Sequence, residues 1–247
     1  YGGDMLDGTI DVTQIFSSPW DFAALRADGS VVTWGDAFHG SDSSAVATEL
    51  DGTIDVTQVA SAQLAFAALR ADGSVVTWGH STLFNYGGDS SAVATELDGT
   101  IDVTRVFSTK YAFAALRADG SVVIWGDAYW GGDSSAVATK LDGTIDVTQV
   151  TSTELAFAAL RADGSVVTWG KADYGGDSSA VAAALDGTID VTQVFSSSDV
   201  FAALRADGSV VTWGGASSGG DSSAVAPKLD GTIDVTQLFS TGGAFAA

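Results

Sequence analysis

An all-β fold, a β-propeller of radially arranged repeats, is predicted by three observations in this sequence. First, the unit FAALRADGSVVTWG recurs almost unchanged at 22–35, 66–79, 113–126, 157–170 and 201–214, and Phe245, Ala246 and Ala247 form a broken further copy. Second, DGTIDVT starts at Asp7, Asp51, Asp98, Asp142, Asp186 and Asp230, so the period is 44 residues with one step of 47. Third, every complete copy places Asp-Gly between two short apolar runs, the strongest short-range hairpin signal. A fixed period of this size marks a repeat architecture. The array holds five complete repeats of ~44 residues and a partial sixth, with three or four strands per blade. No Pro-rich or Ser-rich linker interrupts the period, so 1–247 reads as a single domain.

Within one repeat the elements follow in order. Ile10-Asp11-Val12-Thr13-Gln14-Ile15-Phe16 is β-branched and partly alternating, and predicts the first strand. The next two strands flank Asp28-Gly29. A two-residue type I′ loop there needs positive φ at both central residues, which Asp-Gly tolerates. That loop sets Ala27 opposite Ser30, Leu25 opposite Val32 and Ala23 opposite Trp34. Leu25, Val32, Ala23 and Trp34 then share one face, and Phe22, Ala24, Val31 and Thr33 share the other with Arg26. Both faces are apolar, so each hairpin is expected to lie between neighbouring sheets. The stretch from Asp42 to Leu50 has two readings. Asp or Ser caps a short helix or turn, the preferred reading, or Asp51-Gly52 makes a second hairpin and a fourth strand. A linear β-solenoid is the rival architecture, but its coils are usually shorter and lack a tight hairpin in every copy. An aromatic and glycine motif in each repeat points to the propeller.

Composition limits the function. There are 31 acidic and 10 basic residues, a formal charge of −21. Such a charge opposes the phosphate attraction of nucleic-acid binders and disfavours anionic membrane surfaces. Hydrophobic residues make up 46% of the chain, which suits a packed core. Cysteine is absent, so disulfides and thiolate sites are excluded. No apolar run is long enough to span a bilayer as a helix.

The pattern A-L-x-x-D-G-x-V-x-x-W-G, as Ala24-Leu25-Arg26-Ala27-Asp28-Gly29-Ser30-Val31-Val32-Thr33-Trp34-Gly35, resembles the repeat of the regulator of chromosome condensation (RCC1-like) superfamily. The match recurs in all five complete copies. The resemblance implies a β-propeller, commonly closed with seven blades in that superfamily. It implies no single activity, because the fold hosts nucleotide exchange on a small GTPase, β-lactamase inhibition and plain scaffolds. The chain departs from the pattern after Trp-Gly, where Gly-Gly-Asp-Ser-Ser-Ala-Val replaces the usual Gly-Gln-Leu-Gly. Tyr1-Gly2-Gly3-Asp4 matches Tyr86-Gly87-Gly88-Asp89 and Tyr174-Gly175-Gly176-Asp177, so the intact protein is expected to be longer.

Differences among the copies concentrate in two loops. One separates the first strand from the hairpin, as in Ser18-Pro19-Trp20-Asp21 and Thr109-Lys110-Tyr111. The other follows Trp-Gly, as in Asp127-Ala128-Tyr129-Trp130 and Lys171-Ala172-Asp173-Tyr174. In an antiparallel blade both loops fall on one rim, opposite the constant Asp-Gly turns. That rim carries Trp20, Phe38, Phe84, Tyr86, Tyr111, Tyr129, Trp130 and Tyr174, the candidate protein-binding residues. Aromatics are enriched at interface hot spots, and loops on a rigid scaffold commonly carry binding. The plainer alternative is that these rings pack over loop ends.

Other candidates carry less. The repeated Asp residues lack EF-hand spacing. Arg26, Arg70, Arg117, Arg161 and Arg205, one per blade, are expected to pair with a nearby Asp or to lay their stems over a neighbouring blade. His39 and His80 have no third ligand, and no Ser-His-Asp arrangement repeats. The sequence therefore predicts a non-enzymatic scaffold that binds a protein, with no cofactor, no metal, no nucleic acid and no membrane insertion. The alternative is an assembly component joined through an open blade edge, and a guanine nucleotide exchange factor is the remaining reading.

Overall fold

The computed structural model describes residues 9–36, 38–80 and 85–247. Each repeat supplies three antiparallel strands. They are β1 (Val12–Ser17), β2 (Asp21–Arg26) and β3 (Val31–Gly35), then β4 (Val56–Ser61), β5 (Ala65–Arg70) and β6 (Val75–Gly79). The series continues with β7 (Val103–Ser108), β8 (Ala112–Arg117), β9 (Val122–Gly126), β10 (Val147–Ser152), β11 (Ala156–Arg161) and β12 (Val166–Gly170). It ends with β13 (Val191–Ser196), β14 (Val200–Arg205), β15 (Val210–Gly214) and the short pair β16 (Phe239–Ser240) and β17 (Phe245–Ala246). Among the described residues these form five three-stranded sheets and one two-stranded sheet. Two compact units result: one ends at Asp119 and also takes Val123–Ala128, the other takes Gly120–Val122 and Tyr129–Ala247.

The hairpin differs from the sequence expectation by one residue. Phe22 faces Trp34, Ala24 faces Val32 and Leu25 faces Val31. Arg26 N donates to Ser30 O (2.9 Å) and Gly29 N to Arg26 O (3.0 Å), so Ala27-Asp28-Gly29 is a three-residue loop. Asp28 causes the change. Its Oδ1 accepts from both Ser30 N (3.1 Å) and Ser30 Oγ (2.6 Å). Gly29 takes φ +76°, and among the described residues no non-glycine residue has positive φ. The result is a type I turn closed by a left-handed glycine, not a type I′ turn. The slip moves the side chains between faces. Phe22, Ala24, Val32 and Trp34 share one face, and Ala23, Leu25, Val31 and Thr33 share the other.

The segment after each hairpin is a 3-10 turn, as in Ser91–Glu96, Ser135–Lys140 and Ser179–Ala184, and no fourth strand forms among the described residues. An Asx turn opens it: Asp89 Oδ1 accepts from Ser91 N (2.9 Å) and Asp177 Oδ1 from Ser179 N (2.8 Å). The following leucine is buried, and its carbonyl accepts from the first residue of the third strand, as Leu97 O does from Val75 N (2.9 Å).

Sheet faces interlock within each unit. Ala23 and Val31 of the first sheet pack with Phe66, Ala68 and Trp78 of the second. Ala67, Leu69 and Val75 pack with Phe113, Ala115 and Trp125 in the same way. In the other unit Ala158, Leu160 and Val166 pack with Phe201, Ala203 and Trp213. The Phe and Trp rings stack 5.4 Å apart at Phe66–Trp78 and 5.3 Å apart at Phe113–Trp125. Small alanines on one side let these rings approach, which is why the repeat alternates Ala-Ala with Phe and Trp. Trp125 Nε1 donates to Gly87 O (3.1 Å) and Trp213 Nε1 to Gly175 O (3.1 Å). At Gly87 (φ +98°) a Cβ would lie 2.5 Å from the Phe113 ring, so the first glycine of the pair is a packing requirement. Backbone bonds stitch successive repeats, as Val56 N to Gly29 O and Val191 N to Gly164 O (each 2.9 Å).

One face stands apart. Phe22 is 42% exposed and Ile15 56% exposed, whereas Phe66, Phe113, Phe157 and Phe201 are fully buried.

Candidate functional site

The variable loops are held at their ends by the repeat itself. Thr109 Oγ1 accepts from Ala112 N (3.0 Å), and Thr109 N donates to Ala112 O (2.9 Å), closing the loop before β8. Thr153 does the same for β11, and its hydroxyl also donates to Tyr174 O (2.8 Å) in the loop after β12. The loop before the hairpin and the loop after it therefore meet, as the antiparallel topology requires.

Three aromatic groups result. In the first repeat Trp20, 55% exposed, stacks on His39 with centroids 5.2 Å apart. Phe38 beside it is 83% exposed. His39 Nδ1 lies 2.9 Å from Asp36 Oδ2. In the second and third repeats Tyr86 sits between His80 (5.4 Å) and Tyr111 (5.1 Å), and both tyrosines are half-buried. Phe84 lies outside the described residues. In the other unit Tyr129 and Trp130 meet edge to face at 4.6 Å. Lys171 Nζ lies 4.3 Å from the Trp130 centroid, 5.3 Å from Tyr174 and 5.6 Å from Tyr129. Tyr174 also packs against the core cluster of that unit, so part of its ring is structural.

Two residues were missed by reading aromatics alone. Asp21 is buried where Ala65, Ala112, Ala156 and Val200 stand in the other repeats. Its Oδ1 accepts from Asp36 N (2.8 Å), and Ser18 Oγ lies 3.3 Å from its Oδ2. The carboxylate stands in for a backbone carbonyl, since the equivalent N–H of His80 donates to Leu64 O (2.8 Å). Burial pushes the Asp21 carboxyl up, against the hydrogen bonds from Asp36 and Ser18. Lys171 is the second. It occupies a position filled by Asp36, His80, Asp127 and Gly215 in the other copies. Overlaying the repeats on one another singles out both.

The remaining candidates have structural surroundings. Arg70, Arg117, Arg161 and Arg205 pair with Asp72 (3.7 Å), Asp119 (3.8 Å), Asp163 (3.4 Å) and Asp207 (3.7 Å). The repeated Asp-Gly carboxylates are occupied by Asx turns, as Asp51 Oδ1 accepting from Thr53 N (2.7 Å). Among the described residues no group of His, Asp and Glu has metal-site geometry, and no helix is long and apolar enough to cross a membrane.

No protein-family model and no curated protein matches this sequence. Solved structures do. The chain is similar to the ectodomain of the receptor kinase CR4 from Physcomitrella patens, at 14% identity and TM-score 0.54, over 94% of this chain and 57% of that one. It is similar to human WBSCR16, at 19% identity and TM-score 0.52, over 83% of this chain and 62% of that one. It is also similar to yeast RCC1 (Prp20) in its complex with Kap60, at 17% identity and TM-score 0.52, over 84% of this chain and 56% of that one. The chain thus spans less than two thirds of each of these proteins. At such identities the likeness concerns the fold, and it agrees with a repeat of three strands, an Asp-Gly turn and a Phe–Trp face. The chain has the RCC1-like β-propeller fold.

Proposed function

We propose that this chain is a non-enzymatic scaffold that binds a protein partner through the aromatic residues of its variable loops. The observation that carries the reading is the exposure of Trp20, Phe38 and Tyr129, at 55%, 83% and 67%, on loops whose ends are fixed by backbone hydrogen bonds, as Ser18 N to Asp21 O and Asp127 N to Tyr111 O (each 2.9 Å). Large exposed aromatics on rigid supports are the side chains that dominate interface energetics. Two solved neighbours are described with protein partners: yeast RCC1 (Prp20) bound to Kap60, and Prp20p with Gsp1p and histones. They support a protein as the class of partner.

The test is capture from the source lysate with the wild-type chain and with a Tyr129→Ser/Trp130→Ser variant. A protein held by the first and lost by the second supports the reading. Equal retention places the contact elsewhere. A GDP-release assay against small GTPases decides the exchange-factor alternative.

A further inference from the structure

The cluster around Lys171 has the construction of a cation cage. Tyr129 and Trp130 present rings at 83° to one another, two walls at a right angle. Tyr174, from the loop of the next repeat, adds a third ring 5.3 Å from the ammonium. All three centroids lie within the roughly 6 Å range over which a ring attracts a cation. In a chain with 31 acidic residues, the Lys171 ammonium makes no ion pair within 4.0 Å among the described residues and turns to the rings instead. The backbone of Lys171 is pinned independently of its side chain. Its N–H donates to Leu155 O, and its carbonyl accepts from Tyr174 N and Gly176 N, each at 3.0 Å. Removing the side chain therefore empties the cage and leaves the backbone that carries Tyr174 in place.

We propose that Tyr129, Trp130 and Tyr174 form a recognition cage for a trimethylated lysine on a protein partner, and that Lys171 plugs this cage in the unbound chain. The proposal rests on the reading of the loop aromatics as a recognition surface. A primary ammonium is strongly hydrated, and a cage with one exposed ring, Tyr129, and two half-buried ones desolvates it incompletely. A trimethylammonium holds its hydration less tightly and offers methyl surface to all three rings, so it displaces the plug. The formal charge of −21 attracts a cationic tail to the surface. Plugging raises the apparent dissociation constant by the inverse of the open fraction.

The experiment titrates the 15N-labelled full chain with a short Gly/Ser-flanked trimethyllysine peptide, with the same peptide carrying an uncharged tert-butyl isostere, and with choline. The indole N–H of Trp130, assigned by its loss in Trp130→Ala, is the reporter. Lys171→Ala is expected to bind the trimethyllysine peptide about 3- to 30-fold more tightly than wild type. The isostere is expected to lose that binding, and Lys171→Ala/Trp130→Ala to show none. Equal affinity for wild type and Lys171→Ala overturns the plug. Absence of binding to Lys171→Ala with the remaining amide spectrum unchanged, or equal binding of the isostere, overturns the cage. Choline binding as tight as the peptide overturns the protein source. A lysate partner that is lost with Tyr129→Ser/Trp130→Ser but indifferent to Lys171→Ala keeps the loop reading and overturns the plug alone.

Discussion

The same phenylalanine occurs in one unit both covered and uncovered, so the energetics of sheet-on-sheet packing can be tested with an internal control. Phe66 is fully buried against Ala23, Val31 and Trp78. Truncating it to alanine removes a buried ring and leaves a cavity, at a cost of about 3–5 kcal/mol. Phe22 keeps 42% of its surface in water. Burying a whole Phe side chain contributes about 1.5–3 kcal/mol, and a little over half of that is at stake for Phe22, so its truncation costs about 1–2 kcal/mol. The assay is urea denaturation of wild type, Phe66→Ala and Phe22→Ala, at a concentration where sedimentation gives a monomer. Repeat arrays depart from strict two-state unfolding, so tryptophan fluorescence and far-UV circular dichroism are compared. Phe66→Ala is expected to lower the midpoint two to three times as far as Phe22→Ala, from the ratio of these costs. Equal losses in the monomer would refute the account in which burial by the neighbouring sheet, and not the ring's place in the hairpin, sets its contribution.

Two further predictions concern glycine and acid. Gly87→Ala places a Cβ 2.5 Å from the Phe113 ring at φ +98°, and is expected to lower the melting temperature clearly, whereas Gly243→Ala, with nothing within 4 Å, leaves it unchanged. The turn carboxyls of Asp163 and Asp207 are held low by Ser165 and Ser209, so their contribution is complete above the ordinary value of 3.8 and is lost as pH falls below it. Asp21 has the opposite sign. Its raised carboxyl favours the fold below 3.8 and penalises it as pH rises through the folded-state value. Asp21→Asn is therefore expected to gain melting temperature relative to wild type as pH rises from 3.8 towards neutrality, and a constant difference across that range would contradict the assignment.

The period, the strand order and the 3-10 turn were legible in the sequence because each rests on a local signal repeated five times. The hairpin register was not. Asp-Gly is compatible with a two-residue loop and with a three-residue loop in which glycine alone is left-handed. What separates them is the hydroxyl of Ser30, which gives Asp28 a second short bond at 2.6 Å and keeps it right-handed. That contact is chemical, but reading it required knowing where the serine side chain points. The meeting of the two variable loops followed from topology, and Trp20 with His39 and Tyr86 with Tyr111 bear it out geometrically. Asp21 and Lys171 are not marked by aromatic content: Asp21 is the one carboxylate where the other copies have Ala or Val, and Lys171 is the one lysine at a position that varies in nearly every copy.

The contrast between constant hairpins and variable loops has a physical origin in the packing. Within a unit, an interior hairpin is squeezed on both faces: its alanines admit the next repeat's Phe and Trp, and its own Phe and Trp enter the previous repeat's alanine face. A change on either face creates a void or a clash in two interfaces at once, each costing on the order of 1–3 kcal/mol. The loops escape this because their ends are fixed by backbone bonds and by a single hydroxyl, as at Thr109 and Thr153. At the position directly after Trp-Gly the side chain changes without disturbing the sheets. Lys171 demonstrates the freedom: a lysine, a histidine, an aspartate or a glycine follows Trp-Gly with the N–H bonded the same way, to Leu155 O, Leu64 O, Tyr111 O and Asp199 O respectively. Chemistry that must be changed without unfolding the scaffold can therefore be placed here and at few other positions, which is the structural reason to look for recognition at these loops and not at the invariant turns.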